Sequence, residues 1–447
     1  MYERIFKAYD VRGLYPDELD ETASLRIGVA FAKSSLVNRE KKSVVVGRDM
    51  RESSDALFES LVEGLNAGGM PVIDIGLCTT PMLYFAVNVL EAAGGVMITA
   101  SHNPQGYNGF KFVREEAIPV SAETGLKRIQ RIASETSLPP PGNRRIVVKD
   151  VGKEYRDFFA QRFSIELGRR VVIDAGNGMA GAILPAILRT QRIPFRALYF
   201  EPDGRFPHHE ANPLKKENLQ DLRDAMSQEP DSIGVAFDGD GDRVAFLDED
   251  GNAVRGDLLT ALIAKKLLEE KGPGTILYDL RSSKIVPEVI RAHGGRPVMS
   301  RVGHSFIKAL MREEKALFAG ELSFHFYFSD FFYCESGILA MLTVLQILSD
   351  SGESLCSMIA PLTKYAHSGE INFAVKDKRQ AMETVTQQYS GGKVLHLDGL
   401  SVEYDNWWFN LRPSNTEPLL RLNLETDSED LMRKKVAELK ELITNMG

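Results

Sequence analysis

The sequence predicts an α/β protein: three related mixed α/β domains with mostly parallel sheets, followed by a smaller C-terminal α+β domain. Three observations lead there. One pattern recurs three times: KSVVVGRDMRESSDALFESLVEGLNAGGMPVIDIG, RVVIDAGNGMAGAILPAILRTQRIPFRALYF and GTILYDLRSSKIVPEVIRAHGGRPVMSRVG. Each copy is a β-branched run, a polar turn, a helical spacing, and a second apolar run opening at Pro71, Pro194 or Pro297. Short strands alternating with helices imply mostly parallel sheets covered on both faces. The last part of the chain drops this pattern and reads as hairpins followed by one helix.

Expected boundaries follow changes in composition, giving domains over 1–143, 144–250, 251–366 and 367–447. The first ends in SLPPPGNRR (137–145), whose three consecutive prolines make a stiff linker. The second ends near DEDGNAVRGD and the third near TKYAHSGEIN, where residues 365–372 are the expected hinge for movement of the last domain. In that domain, LSVEYDNWWFNLRPSNTEPLLRLNLE predicts a hairpin turning at Asp405-Asn406, a loop and another strand. A final helix opens with a capping box, Thr426 to Glu429, and carries Met432, Val436, Leu439 and Ile443 on one face.

Composition narrows the function classes. A chain of 447 residues exceeds a single core. With 43% apolar and 26% charged residues it resembles ordinary globular proteins. The net charge of −8 argues against nucleic acid or an acidic membrane surface as partner, so anions must be held by local Arg and Lys clusters. The three cysteines, Cys78, Cys334 and Cys356, lack metal-like spacing and suit a reducing compartment. The longest apolar run, 338–348, is too short to span a bilayer, and MYERIFKAYD has no signal-like region, so the expected location is cytoplasmic.

Four constellations carry chemistry. In GGVMITASHNPQGYNGFKF, a buried-strand pattern runs into Ser101, His102, Asn103 and Pro104, with Gly106, Gly109 and Lys111 beyond. Turn residues alone would explain a loop. A hydroxyl at a strand end, glycines that admit an anion and a nearby lysine also describe a nucleophile, Ser101. In IGVAFDGDGDRVAFLDEDG, Asp238, Asp240 and Asp242 alternate between apolar runs; so many close carboxylates require a cation, and hard oxygen ligands suit Mg²⁺. An EF-hand is excluded because Arg243 occupies the glycine position of such a loop. In FNLRPSNTEPLLR, Arg412, Ser414, Asn415, Thr416 and Arg421 form a phosphate-type donor set. In FAGELSFHFYF, alternate spacing is expected to put Glu321, Ser323 and His325 on one face of an extended segment, suited to sugar hydroxyls.

TASHNP, DGDGDR, GELSFH and RPSNTEP, preceded by FKAYDVRG, occur in the order that resembles the α-D-phosphohexomutase family. The resemblance covers the whole chain and implies four domains around a central cleft. It implies a phosphoserine at Ser101, Mg²⁺ held by Ser101, Asp238, Asp240 and Asp242, and an active-site Arg12. It further implies a two-step transfer between hexose 1-phosphate and hexose 6-phosphate through a bound hexose 1,6-bisphosphate. Arg243, Lys111 and Arg12 would surround the moving phosphoryl group. Lys111 and His325 are acid/base candidates, with His102 and His304 close by in the motifs. Arg281 joins the substrate-binding set, standing in YDLRSS where many relatives carry Lys.

Mannose and glucose phosphates both remain candidate substrates, and the expected assembly is a monomer or homodimer. A phosphoglucosamine mutase and a non-catalytic sugar-phosphate binding protein are the alternatives; a serine hydrolase is a weaker one. Ser101 argues against mere binding, which needs no nucleophile.

Overall fold

The computed structural model describes residues 3–38, 40–41, 43–138, 143–375, 377–413 and 419–444. The prolines of the expected linker, 139–141, lie outside the described residues. The chain divides into two compact units. One holds Met1–Val254, Gly303–Phe318 and Ser323–Cys356, the other Arg255–Val302, Ala319–Leu322 and Ser357–Gly447.

The first unit contains two mixed sheets. In the six-stranded sheet, Val44–Arg48 lies between Gly94–Ile98 and Val72–Leu77, parallel to both, and Ile146–Val148 extends the parallel side. Tyr107–Arg114 and Val11–Leu14 add an antiparallel side. The five-stranded sheet repeats this plan. Val171–Asp174 is parallel to Phe195–Leu198 and Ile233–Phe237, and Val244–Leu247 and Ala253–Val254 continue antiparallel. A short antiparallel hairpin, Phe326–Phe328 with Cys334–Glu335, belongs to the same unit.

In the second unit, Thr275–Asp279 and Arg296–Ser300 pair in parallel, so all three sequence repeats fold as parallel strand pairs. The C-terminal part is a fully antiparallel five-stranded sheet. Its strand order is Ala366–Ala374, Leu419–Thr426, Trp407–Pro413, Leu400–Glu403 and Lys393–Leu395. The expected hairpin closes where Tyr404 N–H donates to the Trp407 carbonyl at 2.9 Å. One core joins Phe409, Leu411, Leu420, Leu422 and Leu424 to Leu439 and Ile443 of helix Glu429–Thr444, with Met432 and Val436 partly buried against it.

Three local expectations are corrected. The final helix is capped by Ser428, whose Oγ accepts from Leu431 N–H, and not by Thr426. Thr426 is fixed in the sheet ladder, and its hydroxyl donates to the Ser428 carbonyl. The proposed hinge at 365–372 is largely strand: Ala366–Ala374 pairs with Leu419–Thr426, interrupted by a bulge between His367 and Glu370 at which Gly369 has φ 68°. Finally, residues 321–324 do not extend. Phe324 turns the chain with φ 69°, so the extended alternation is lost, although Ser323 and His325 still meet, Oγ to Nδ1 at 3.3 Å.

Among the described residues no single helix is long and apolar enough to cross a membrane. The apolar helix Gly337–Ser351 is mostly buried core of the first unit.

The parallel strands determine where loops converge. Gly94–Ile98 and Ile233–Phe237 both deliver their carboxyl ends directly into the Ser101 and Asp238 loops, the usual location for ligands in open α/β sheets. Behind the first sheet, helices Glu21–Lys33 and Ser54–Ala67 touch backbone to backbone. A Cβ on Gly64 would lie 2.0 Å from the Leu25 carbonyl oxygen. Gly→Ala inside a helix normally gains about 1 kcal/mol, but a backbone clash outweighs it at an overpacking cost of roughly 1–3 kcal/mol. Gly64→Ala is therefore expected to lower the unfolding midpoint in a thermal melt; a raised midpoint would contradict this helix contact.

Candidate active site

Ser101 follows the buried strand Gly94–Ile98 and is itself 2% exposed. Its backbone is left-handed, φ 50°, which costs a non-glycine residue about 1–2 kcal/mol. Its N–H donates to Thr99 Oγ1 at 2.8 Å, and its Oγ donates to Asp238 Oδ2 at 2.8 Å. His102 Nδ1 lies 3.1 Å from the same Oγ. Burial, then the charges of Arg243 and Arg12, hold the His102 imidazole well below its ordinary pKa, so it stays neutral.

The DGDGDR segment joins Ile233–Phe237 to Val244–Leu247 as a hairpin loop. Gly239 and Gly241 make its course possible. A Cβ on Gly239 would approach the Ser101 carbonyl oxygen to 2.5 Å, and Gly241 has φ 72°. Carboxylate oxygens of Asp238, Asp240 and Asp242 all lie within 4.8 Å of one another, and the three residues are buried. Lys111 reaches them from strand Tyr107–Arg114, placing Nζ 2.6 Å from Asp240 Oδ2 and 2.6 Å from Asp242 Oδ2. Thr80 Oγ1 donates to Asp240 Oδ2 at 2.5 Å.

The charges are unevenly shared. Burial, with repulsion from Asp242 and Asp240, pushes the Asp238 carboxyl well above the carboxylate range. Burial acts on Asp242 in the same direction, but Lys111 and Arg243 overcome it and hold that carboxyl well below its usual value. Burial likewise opposes charge on Lys111, yet Asp240 and Asp242 override it and keep the ammonium charged. Asp240 Oδ1 and Asp242 Oδ1 are buried without a hydrogen-bond donor among the described residues. Orphaned hard oxygens within bonding reach of one centre fit a Mg²⁺ ion. Glu249, beyond this loop, pairs with Arg169 and accepts N–H bonds from Leu355 and Cys356.

Around this centre, Arg243 N–H donates to Asp238 Oδ1 at 3.2 Å, and its Nε donates to His325 Nε2 at 3.1 Å. His325 Nε2 is 3.4 Å from Asp242 Oδ1, and its Nδ1 is 3.3 Å from Ser323 Oγ. Arg12 is held by Asn103 Oδ1 at 2.6 Å and Asp10 Oδ2 at 2.5 Å. His304 opens helix His304–Glu313 with Nδ1 3.9 Å from Glu335 Oε1; burial and Lys308 keep it neutral. The first unit thus brings together Arg12, Ser101, His102, Lys111, the three aspartates, Arg243 and His325.

Other expected site residues belong to the second unit. Arg281 Nη2 lies 2.6 Å from Asp279 Oδ2 and 3.7 Å from Glu321 Oε2. Arg412 and Arg421 face each other across two strands, and Glu370 bridges them at 3.0 and 3.3 Å. Ser414, Asn415 and Thr416 lie outside the described residues. Sequence reasoning missed Thr80, Glu370 and Arg51. The CTTPM turn before helix Thr80–Val89 signals a cap, which Thr79 provides, but gives no sign that Thr80 serves Asp240.

Lys111 is the principal countercharge of Asp240 and Asp242, and breaking such a buried pair costs about 3–5 kcal/mol. Lys111→Met is expected to destabilise the metal-free protein and to show a larger Mg²⁺-induced rise in melting temperature than wild type. An equal Mg²⁺ increment in both proteins would contradict this division of charge.

Known proteins resemble this chain along its whole length. Models of the four phosphoglucomutase/phosphomannomutase domains match in order: α/β/α domain I over 3–139, domain II over 153–251, domain III over 255–365 and the C-terminal domain over 370–442. A phosphomannomutase of Methanocaldococcus jannaschii is 42% identical over 448 aligned residues, covering 99% of this chain and 98% of that one. A Xanthomonas campestris protein named for phosphohexose mutases is 40% identical, with 98% of each chain covered. Among solved structures, a phosphoglucomutase/phosphomannomutase family protein of Burkholderia thailandensis superposes with a TM-score of 0.90 at 30% identity, covering 99% of this chain and 97% of that one. With a buried serine facing an aspartate triad and all four domains matched, the chain belongs to the α-D-phosphohexomutase family and is a mutase enzyme.

Proposed function

We propose that this enzyme interconverts hexose 1-phosphate and hexose 6-phosphate, with mannose phosphate a substrate and glucose phosphate a second, through a phosphoserine at Ser101 and a bound hexose 1,6-bisphosphate. The observation that carries this reading is the Ser101 hydroxyl, 2.8 Å from Asp238 within a buried triad of aspartates. The mannose assignment is supported by the name of the Methanocaldococcus jannaschii relative, a phosphomannomutase 42% identical along the whole chain. A cytoplasmic location goes with this reading.

Asp238, Asp240 and Asp242, with Ser101, would hold Mg²⁺, which when bound neutralises phosphoryl charge. The remaining work falls to the protein's own groups. Ser101 Oγ carries the phosphoryl group and gives it to a free sugar hydroxyl, whose proton replaces it on Oγ as the serine O–P bond breaks; when Oγ takes back the other phosphate, its proton goes to the sugar oxygen that is released. His102 Nδ1, 3.1 Å from Oγ, is within hydrogen-bond reach of that proton. Lys111, 2.6 Å from both Asp240 and Asp242, adds positive charge beside the serine and stays with His325 as an acid/base candidate. Arg243 and Arg12 supply further positive charge beside the serine, and electrostatic stabilisation of this kind dominates phosphoryl transfer. His325, with Nε2 accepting from Arg243, orients that guanidinium. Glu321, Ser323, His304 and Arg281 are assigned to the sugar, and Arg412, Ser414, Asn415, Thr416 and Arg421 to its phosphate. Glu370 pairs with both arginines of that last set, at 3.0 and 3.3 Å.

Incubation with mannose or glucose 1,6-bisphosphate should add one phosphoryl group to the intact protein, removable by the matching hexose 6-phosphate. Ser101→Ala should abolish this and lower kcat by at least about a thousandfold while sugar-phosphate binding persists. Wild-type-like turnover in that variant would refute the phosphoserine mechanism.

A further inference from the structure

Arg51 lies in the polar turn between strand Val44–Arg48 and helix Ser54–Ala67, and is 3% exposed. Its guanidinium is spent on the backbone of the serine loop. Nη2 donates to the carbonyls of Ser101 at 2.9 Å and Asn103 at 2.5 Å; Nη1 donates to those of Pro104 and Tyr107, both at 2.8 Å. Asp49 Oδ2 stands 3.2 Å from Nε, and the Phe206 ring centroid lies 5.1 Å from Cζ. The chain at Gly204 presses on the same residue, where a Cβ would meet Arg51 Cα at 2.5 Å. Four carbonyls are thereby gathered on one planar fork, beginning with the residue whose left-handed backbone is strained.

We propose that Arg51, seated by Asp49 and Phe206, is the positioning residue for Ser101. By fixing the carbonyls at 101, 103, 104 and 107 it maintains the left-handed conformation that presents Oγ to Asp238. It therefore governs the rate of phosphoryl transfer to and from the serine without contributing to sugar-phosphate affinity. The guanidinium is required for its geometry: its N–H groups form a rigid planar fork, whereas lysine offers one compact ammonium that cannot span four carbonyls. The inference rests on the phosphoserine reading, so both are tested together.

Arg51→Lys should lower kcat and the rate of Ser101 phosphorylation by hexose 1,6-bisphosphate by about 10- to 100-fold, since small misplacements of a reacting group cost that much. The dissociation constant for hexose 6-phosphate should stay within about threefold, as expected for a change felt in the transition state alone. Phe206→Leu, which leaves every hydrogen bond of Arg51 in place, should lower kcat by a smaller factor at unchanged KM. Should Arg51→Lys not fold, this second variant decides. Wild-type kcat in Phe206→Leu, or a joint decline of kcat and substrate binding in either variant, would overturn the proposal. Ser101→Ala serves as the control. If it still takes up phosphate, the phosphoserine reading itself fails; if it does not, while Arg51→Lys is phosphorylated at the wild-type rate, only the positioning role fails.

Discussion

The structure is organised around three carboxylates buried within one loop. At their mutual separation of at most 4.8 Å, each charged pair repels by roughly 3–4 kcal/mol at an effective dielectric of 20. Such a loop persists only if cations oppose it. Lys111 answers Asp240 and Asp242 from a neighbouring strand, Arg243 stands within 4.0 Å of Asp238 and Asp242, and Asp238 binds its proton more tightly. The cluster is stable enough to exist and short enough of positive charge to favour a divalent ion.

That constraint explains features that otherwise look unrelated. Gly239 is required because the Ser101 carbonyl oxygen lies 2.5 Å from where a side chain would begin, and Gly241 because its φ is 72°. Lys111 sits on the antiparallel strand beside Gly94–Ile98 because that register places its ammonium near the carboxyl end of the strand that delivers Ser101. The serine accepts a strained backbone because its neighbours hold it there. Strain at a reacting residue, balanced by its supports, is a common means of keeping a nucleophile oriented.

Much of this could be read from the sequence, for identifiable reasons. The three strand–helix–strand copies are visible because parallel buried strands need β-branched runs, and each run ends in turn residues. The aspartate triad stands out because three closely spaced carboxylates between apolar strands have no structural use as a plain turn. Other features leave no local trace. Lys111 meets Asp240 and Asp242 from 129 and 131 residues away. The partners of Arg51 are carbonyl groups, which every residue has. The bend at 321–324 turns on a phenylalanine at positive φ, a conformation no sequence rule assigns to Phe. The cap of the last helix moved from Thr426 to Ser428 because the strand before it runs two residues further than the hydrophobic pattern implies.

In the proposed function the three aspartates and Ser101 would act as a single metal-dependent phosphoryl-transfer centre. Anomalous diffraction from crystals of the protein soaked in Mn²⁺, a scattering substitute for Mg²⁺, tests it most directly. One strong peak is expected within bonding distance of one oxygen from each of Asp238, Asp240 and Asp242 and adjacent to Ser101 Oγ. A fully occupied Mn²⁺ site elsewhere in the chain, with Lys111 still bridging Asp240 and Asp242 and no density between the three carboxylates, would contradict it.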